Sequence, residues 1–187
     1  FSRELYIERD DFMEDGGKKF LRLGPGKEVR LKNAYIIKCD EDPAKCIEKD
    51  EAGNIICIHA TYDPESKSGM PGSDRKIKGK TLHWVSTNHC VPCEVRDYSC
   101  LWTCENPRDA IKQYERENGV RGIDAMRPFL NPESLKINKN AFIEEWATSL
   151  PKLSYLQFQR IGYYNIDKDS TPEHLVFNKT VGLRDTK

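Results

Sequence analysis

At 187 residues and 21.6 kDa, the chain is long enough for one large domain or two small ones with a real core. Its 30 Lys and Arg balance 30 Asp and Glu, so the formal net charge is zero although 32% of residues are charged and mean hydropathy is −0.73. That balance excludes a polycation that coats nucleic acid by bulk charge, no apolar run reaches the ~18 residues of a membrane span, and 10% aromatics exclude wholesale disorder.

The first residues, Phe1-Ser2-Arg3-Glu4-Leu5, carry neither an initiator Met nor an apolar signal core and read as a cut inside a longer cytoplasmic protein. Glu28 to Lys32 alternates polar and apolar residues and runs into Ala34-Tyr35-Ile36-Ile37, which predicts strand. Asn54–Tyr62 is a second strand candidate and Thr81–Ser86 a third. The turn Glu48–Asn54 has Gly53 and Asn54 available for positive φ. Asp63 to Lys80, with Pro64, Gly69, Pro71, Gly72 and Gly79, reads as a loop. Asn106-Pro107 opens a helix, Asn as N-cap and Pro at the first helical position, and Gly119 can stop it. Strands return at Tyr155–Ile166 and Leu175–Leu183. Many short strands with one or two helices point to a mainly β fold, a barrel or a sandwich.

Seven cysteines, an odd number, suggest reduced thiols in a cytoplasmic chain. Cys90-x-x-Cys93 followed by Cys100-x-x-x-Cys104 has short paired spacings that suit zinc, although the six residues between the pairs make a short connector. A zinc-stabilised protein-interaction module on Cys90, Cys93, Cys100 and Cys104 is therefore one open reading, and buried or incidental cysteines are another. Gly79-Lys80-Thr81 ends like a phosphate-binding loop, but Asp74 stands where the motif needs Gly and the following Leu82–Val85 reads as strand, so the motif is rejected. The four His residues are scattered and Glu144-Glu145 point apart, so no enzyme site emerges.

Local charge is more informative than the total. Residues 17–38 sum to +6, residues 39–65 to −6 and residues 66–80 to +4. On a strand, Arg30 and Lys32 share a face while Val29 and Leu31 point into a core. Two cations on a rigid strand suit phosphate and base-edge contacts; a solvated strand face would show the same pattern.

Gly26–Lys38, Thr61–Pro64 with Lys78–Ser86, Gln157–Tyr164 and Phe177–Thr186 resemble, in order, four segments of the C-terminal region of glutaminyl-tRNA synthetases. Gly26–Lys38 is similar to GKEVRLRNAYVIK of that family, and Thr61-Tyr62-Asp63-Pro64 with Lys78–Ser86 to CTYDP…KVKGTIHWVS. Gln157–Tyr164 resembles FQFERxGYF, and Phe177–Thr186 resembles FNRTVGLRDT. The resemblance runs from about Ile7 to Thr186 and is bacterial-like. It implies two β-barrels of the ribosomal L25-like kind: a proximal one from residues 1–19 and 119–187, and a distal one from 20–118, with an early strand near 4–8 joining the C-terminal strands. It implies recognition of the glutamine-tRNA anticodon, with bases splayed out of the loop.

By motif position, Arg22, Arg30 and Lys32 fall at the family's basic anticodon contacts and Gln157 and Arg160 at its contacts to the middle base, with Lys19 a further RNA-binding candidate. The chemistry agrees. A guanidinium forks onto guanine O6 and N7, and a Gln amide offers uracil both a donor and an acceptor. Strict alternation puts Gln157 and Arg160 on opposite faces, so a bulge, or a strand end near Gly162, must intervene if both reach RNA. Lys19 replaces a usual Gln and Lys32 a usual Arg, which loses the bidentate fork at Lys32. Ser99 and Cys100 replace the family's Asp-Arg pair. The parent implied is a monomeric, cytoplasmic ligase using ATP and Mg, with its catalytic domain in the same chain and no HIGH-like or KMSKS-like segment in this region, which itself takes no cofactor. The anticodon-binding region of an archaeal or eukaryotic-type glutamyl-tRNA synthetase is the alternative, and the His83–Ser86 and Val181–Arg184 wording favours glutaminyl.

Overall fold

The computed structural model describes residues 1–183, so the Arg184–Thr186 end of the last family-like segment lies outside the described residues. The chain is mainly β and divides into two compact units, Phe1–Cys90 and Val91–Lys187. The expectation drew the units differently, with 1–19 and 119–187 together and 20–118 apart.

In unit 1 the strands are β1 (Leu5–Ile7), β2 (Glu28–Leu31), β3 (Ile36–Cys39), β4 (Ile47–Lys49), β5 (Ile55–Ile58), β6 (Ala60–Asp63), β7 (Thr81–Leu82) and β8 (Trp84–Ser86), with a one-turn helix α1 (Pro43–Cys46). Their order is β6-β3-β2-β7 in the main sheet, with β1-β8 and β4-β5 as separate pairs. The predicted alternation of β2 holds: Val29 and Leu31 are fully buried and join Phe12, Leu23, Ile37, Cys39 and Leu82 in one core. Asn33, at φ +56, turns the chain from β2 to β3, a left-handed position that Asn tolerates. The early strand forms as expected, but β1 pairs antiparallel with β8, Leu5 opposite Ser86 and Ile7 opposite Trp84.

Asn54–Tyr62 is two strands and not one, because His59 separates β5 from β6. The predicted turn before it closes through Asp50, whose carboxylate accepts from the Asn54 backbone and side-chain amides at 2.8 and 3.0 Å, with Gly53 at φ +84. Gly79 is a packing residue. A Cβ there would lie 1.9 Å from the Glu28 carbonyl oxygen, so only glycine lets the 63–80 loop return this close to β2.

Unit 2 holds one five-stranded sheet in the order β10-β9-β13-β12-β11, made by β9 (Cys90–Tyr98), β10 (Leu135–Glu144), β11 (Tyr155–Phe158), β12 (Gly162–Ile166) and β13 (Leu175–Gly182). β13 pairs parallel with β9 and antiparallel with β12. Phe177 is fully buried between strands, and Phe158 stacks on Tyr164 at 4.2 Å and meets Phe177 edge-on at 5.2 Å. Helix α2 (Pro107–Asn118) begins and stops where its sequence says, with Gly119 at φ +67 donating to the Glu115 carbonyl. Asn106 uses its side chain differently from a standard cap, donating to Asp109. A further one-turn helix, α3 (Ile123–Met126), follows, and Tyr114 of α2 meets Phe129 edge-on. Among the described residues the pairings form open sheets.

Candidate nucleic-acid interface

The basic residues of unit 1 gather around β2. Glu28 and Arg30 stand on the face opposite Val29 and Leu31, and Arg30 lies level with Ile36 of β3 and Thr81 of β7. The Arg30 guanidinium donates to the carbonyls of Ser66 and Arg75, both at 3.2 Å, and so ties two points of the 63–80 loop to the strand. Arg75 in turn lies 3.1 Å from Glu28 and 3.3 Å from Asp63. The Ser66 hydroxyl accepts from the Ile36 amide at 2.8 Å in a buried bond. These bonds hold a loop carrying exposed Lys67, Lys76, Lys78 and Lys80 against the sheet.

The backbone also brings the 19–22 segment to this edge, since the Lys80 amide donates to the Leu21 carbonyl at 2.8 Å. Lys27 holds that segment by donating to the Gly17 and Phe20 carbonyls, both at 2.7 Å, with its ammonium 5.0 Å above the Phe20 ring. Lys19 is exposed on it. Arg22 is half-buried, its Nε 3.2 Å from a carboxylate oxygen of fully buried Asp11 and its Nη1 donating to the Asp10 carbonyl. Lys32 follows β2 directly. Its amide donates to the Leu82 carbonyl and its carbonyl accepts from the Trp84 indole at 2.8 Å. The backbone thus places Arg30 on β2, Lys32 directly after it and Arg22 beside Leu21, whose carbonyl takes the Lys80 amide, while the Arg22 and Arg30 side chains are held by different partners. Arg75 is the member that sequence reasoning missed, its only signal being the positive charge of 66–80.

In unit 2, Gln157 is exposed on β11 opposite Tyr163 of β12. β11 ends at Phe158, and Arg160 sits in the following turn at φ +68, where the Ile161 amide donates to the Phe158 carbonyl. Gly or Asn is usual at such a position. The strand thus ends ahead of Arg160, earlier than the expected end near Gly162, which instead opens β12. Tyr155 and Tyr163, 81% and 45% exposed, flank Gln157 with aromatic faces of the kind that stack on unpaired bases. Alternation on β11 explains Tyr155, but the pairing with Tyr163 needed the hairpin register.

The cysteine reading fares differently. Among the described residues, no three of Cys90, Cys93, Cys100 and Cys104 gather their sulfurs as a ligand set. Cys90 and Cys93 are three apart on one strand, an odd spacing that sends side chains to opposite faces. Cys93 packs in the core of unit 2, where burial pushes its thiol up to about 12. The Asp-Arg pair that Ser99 and Cys100 replace is not rebuilt there. Ser99 instead donates to the Glu133 carbonyl, while the Cys100 carbonyl accepts from Asn131.

Two family models, both described as the anti-codon binding domain of class I tRNA synthetases (E and Q), match residues 1–63 and 81–167. The chain belongs to this family of anticodon-binding domains. It is 46% identical over 187 residues to the glutamine--tRNA ligase of Aliivibrio salmonicida, 46% to that of Pectobacterium atrosepticum and 44% to that of Vibrio vulnificus, in each case over 100% of its own length. It spans about 30% of the length of those relatives. No described helix is long and apolar enough to cross a membrane.

Proposed function

We propose that this chain recognises the anticodon loop of glutamine tRNA as part of a cytoplasmic, monomeric glutamine--tRNA ligase. The single observation that carries the reading is the whole-chain identity of 46% to bacterial glutamine--tRNA ligases. On this reading ATP and Mg belong to the catalytic domain of the same polypeptide. Lys19, Arg22, Arg30 and Lys32 supply cations to the backbone and to the guanine edge, while Gln157 and Arg160 address the middle base. The ion pairs and carbonyl bonds of Arg22 and Arg30 support a preorganised role, because a cation already fixed in position loses little freedom when RNA arrives. The exposed Tyr155 and Tyr163 supply stacking surfaces beside Gln157.

The test is binding of glutamine-tRNA and glutamate-tRNA anticodon arms at several salt concentrations. The glutamine arm is expected to bind more tightly, and Arg30→Ala to weaken it and to lower the salt slope by about one. Equal affinity for both arms, or a wild-type slope in Arg30→Ala, would overturn the assignment.

A further inference from the structure

The β4–β5 pair lies apart from the main sheet of unit 1 and carries a set of metal-type donors. Glu48 stands directly opposite Cys57 across the pair, and His59 follows two residues further along, so strand periodicity brings all three toward one side. The outcome is observed. One carboxylate oxygen, the Cys57 sulfur and one imidazole nitrogen all lie within 4.8 Å of one another. The His59 Nε2 is 3.5 Å from Glu48 Oε2, close to the about 3.4 Å that separates N and O donors on a tetrahedral zinc ion. The His59 backbone is fixed independently, its amide donating to the Cys46 carbonyl at 2.8 Å.

The geometry points to a surface site for a borderline divalent cation, zinc first, ligated by Glu48, Cys57 and His59. The donor chemistry favours it. One thiolate, one imidazole and one carboxylate suit zinc, whereas magnesium and calcium call for oxygen donors throughout. The surrounding segment helps, since residues 39–65 carry a net charge of −6. Binding converts the Cys57 thiol to a thiolate, and its proton leaves to solvent. Three protein ligands leave the fourth tetrahedral position to water, because all three side chains are exposed. The site has a structural task as well. A two-stranded pair is marginal by itself, this one is interrupted by a register shift between Glu48 and Lys49, and an ion joining Glu48 of β4 to Cys57 and His59 clamps the two halves together.

The experiment titrates Zn2+, and separately Co2+, into the metal-free chain in a non-thiol reductant. One equivalent is expected, with the near-ultraviolet sulfur-to-cobalt band that reports a thiolate ligand. Cys57→Ser is expected to abolish the band, and Cys57→Ser and His59→Gln each to weaken Zn2+ binding by more than about tenfold. Glu48→Gln should weaken it less, and Cys100→Ser, which alters another exposed thiol, should change neither affinity nor band. The proposal is overturned by no stoichiometric uptake, by a band that survives Cys57→Ser, or by one that disappears in Cys100→Ser.

Discussion

In unit 1 the Arg30 guanidinium is held by two backbone carbonyls and Arg22 by a buried carboxylate, whereas in unit 2 Gln157 stands exposed on a strand and Arg160 occupies a turn. The first arrangement makes each cation a structural member of the fold. The second presents side chains on an aromatic strand face whose stability comes from Phe158, Tyr164 and Phe177 underneath. The contrast teaches that the two sets of candidate contacts, each within its own unit, have opposite sensitivities. Substitution in unit 1 should move stability and affinity together, and substitution of Gln157 should move specificity alone.

Phe177→Ala gives the largest effect expected. It removes a fully buried ring beneath β11 and should cost about 3–5 kcal/mol in chemical denaturation. A smaller loss would mean that the hairpin does not rest on this core. Arg30→Ala should cost about 1–3 kcal/mol, because two carbonyls lose a charged donor, and should weaken RNA binding in parallel. Arg30→Lys sharpens the point by keeping the charge without the fork; recovery of affinity without recovery of stability would separate the two roles. Gln157→Ala should leave stability within about 0.5 kcal/mol of wild type, yet relax discrimination at the middle anticodon base by about 1–3 kcal/mol. Unchanged ranking of variant anticodons would remove Gln157 from the site. Arg160→Gly relieves the steric cost of a side chain at positive φ and removes that side chain's own interactions, so stability should stay within about 1 kcal/mol of wild type while RNA binding weakens. A larger loss of stability would break the parallel with Gln157.

The smallest expected effect concerns Asp167, whose carboxyl is held below its ordinary value chiefly by the hydrogen bond from Asn178. A lowered folded pKa means stability that is present above about pH 4 and lost as pH falls through the folded value. Asn178→Ala should flatten that acid dependence in a denaturation series run from neutral to acid pH, and an unaltered profile would show that Asn178 is not its source.

Much of the framework was legible in the residues. β2 followed from the alternation of Glu28, Val29, Arg30 and Leu31, and α2 from Asn106-Pro107 and Gly119. Three strands were not. β4 was masked because its Glu48 and Lys49 read as part of the turn Glu48–Asn54. β9 was masked because Cys90 and Cys93 drew a metal reading from a stretch whose spacing is that of a strand. β10 was masked because Lys136 and Lys139 interrupt its apolar residues and almost all of its length is exposed, as suits the edge of a sheet. Of the candidate site, the cations were readable as types and positions, but the carbonyls that hold Arg30 belong to Ser66 and Arg75, and no side-chain pattern encodes a bond to a distant backbone oxygen. The partner of β1 was hidden for a similar reason. Leu5–Ile7 is too short to specify which edge it joins, and β8 is remote in sequence.

The position of β13 has a consequence for how the molecule is made. This strand lies at the centre of its five-stranded sheet, between β9 and β12, yet it is the last of the five to leave the ribosome. Every pairing in unit 1 lies upstream of it, so unit 1 can complete its sheets during synthesis. Unit 2 must wait, with β9 unpaired on one side until Leu175–Asn178 emerges to join Cys93–Arg96. A nascent chain stalled before Leu175 would therefore hold a finished first unit and an open second one, the form most exposed to proteases and chaperones.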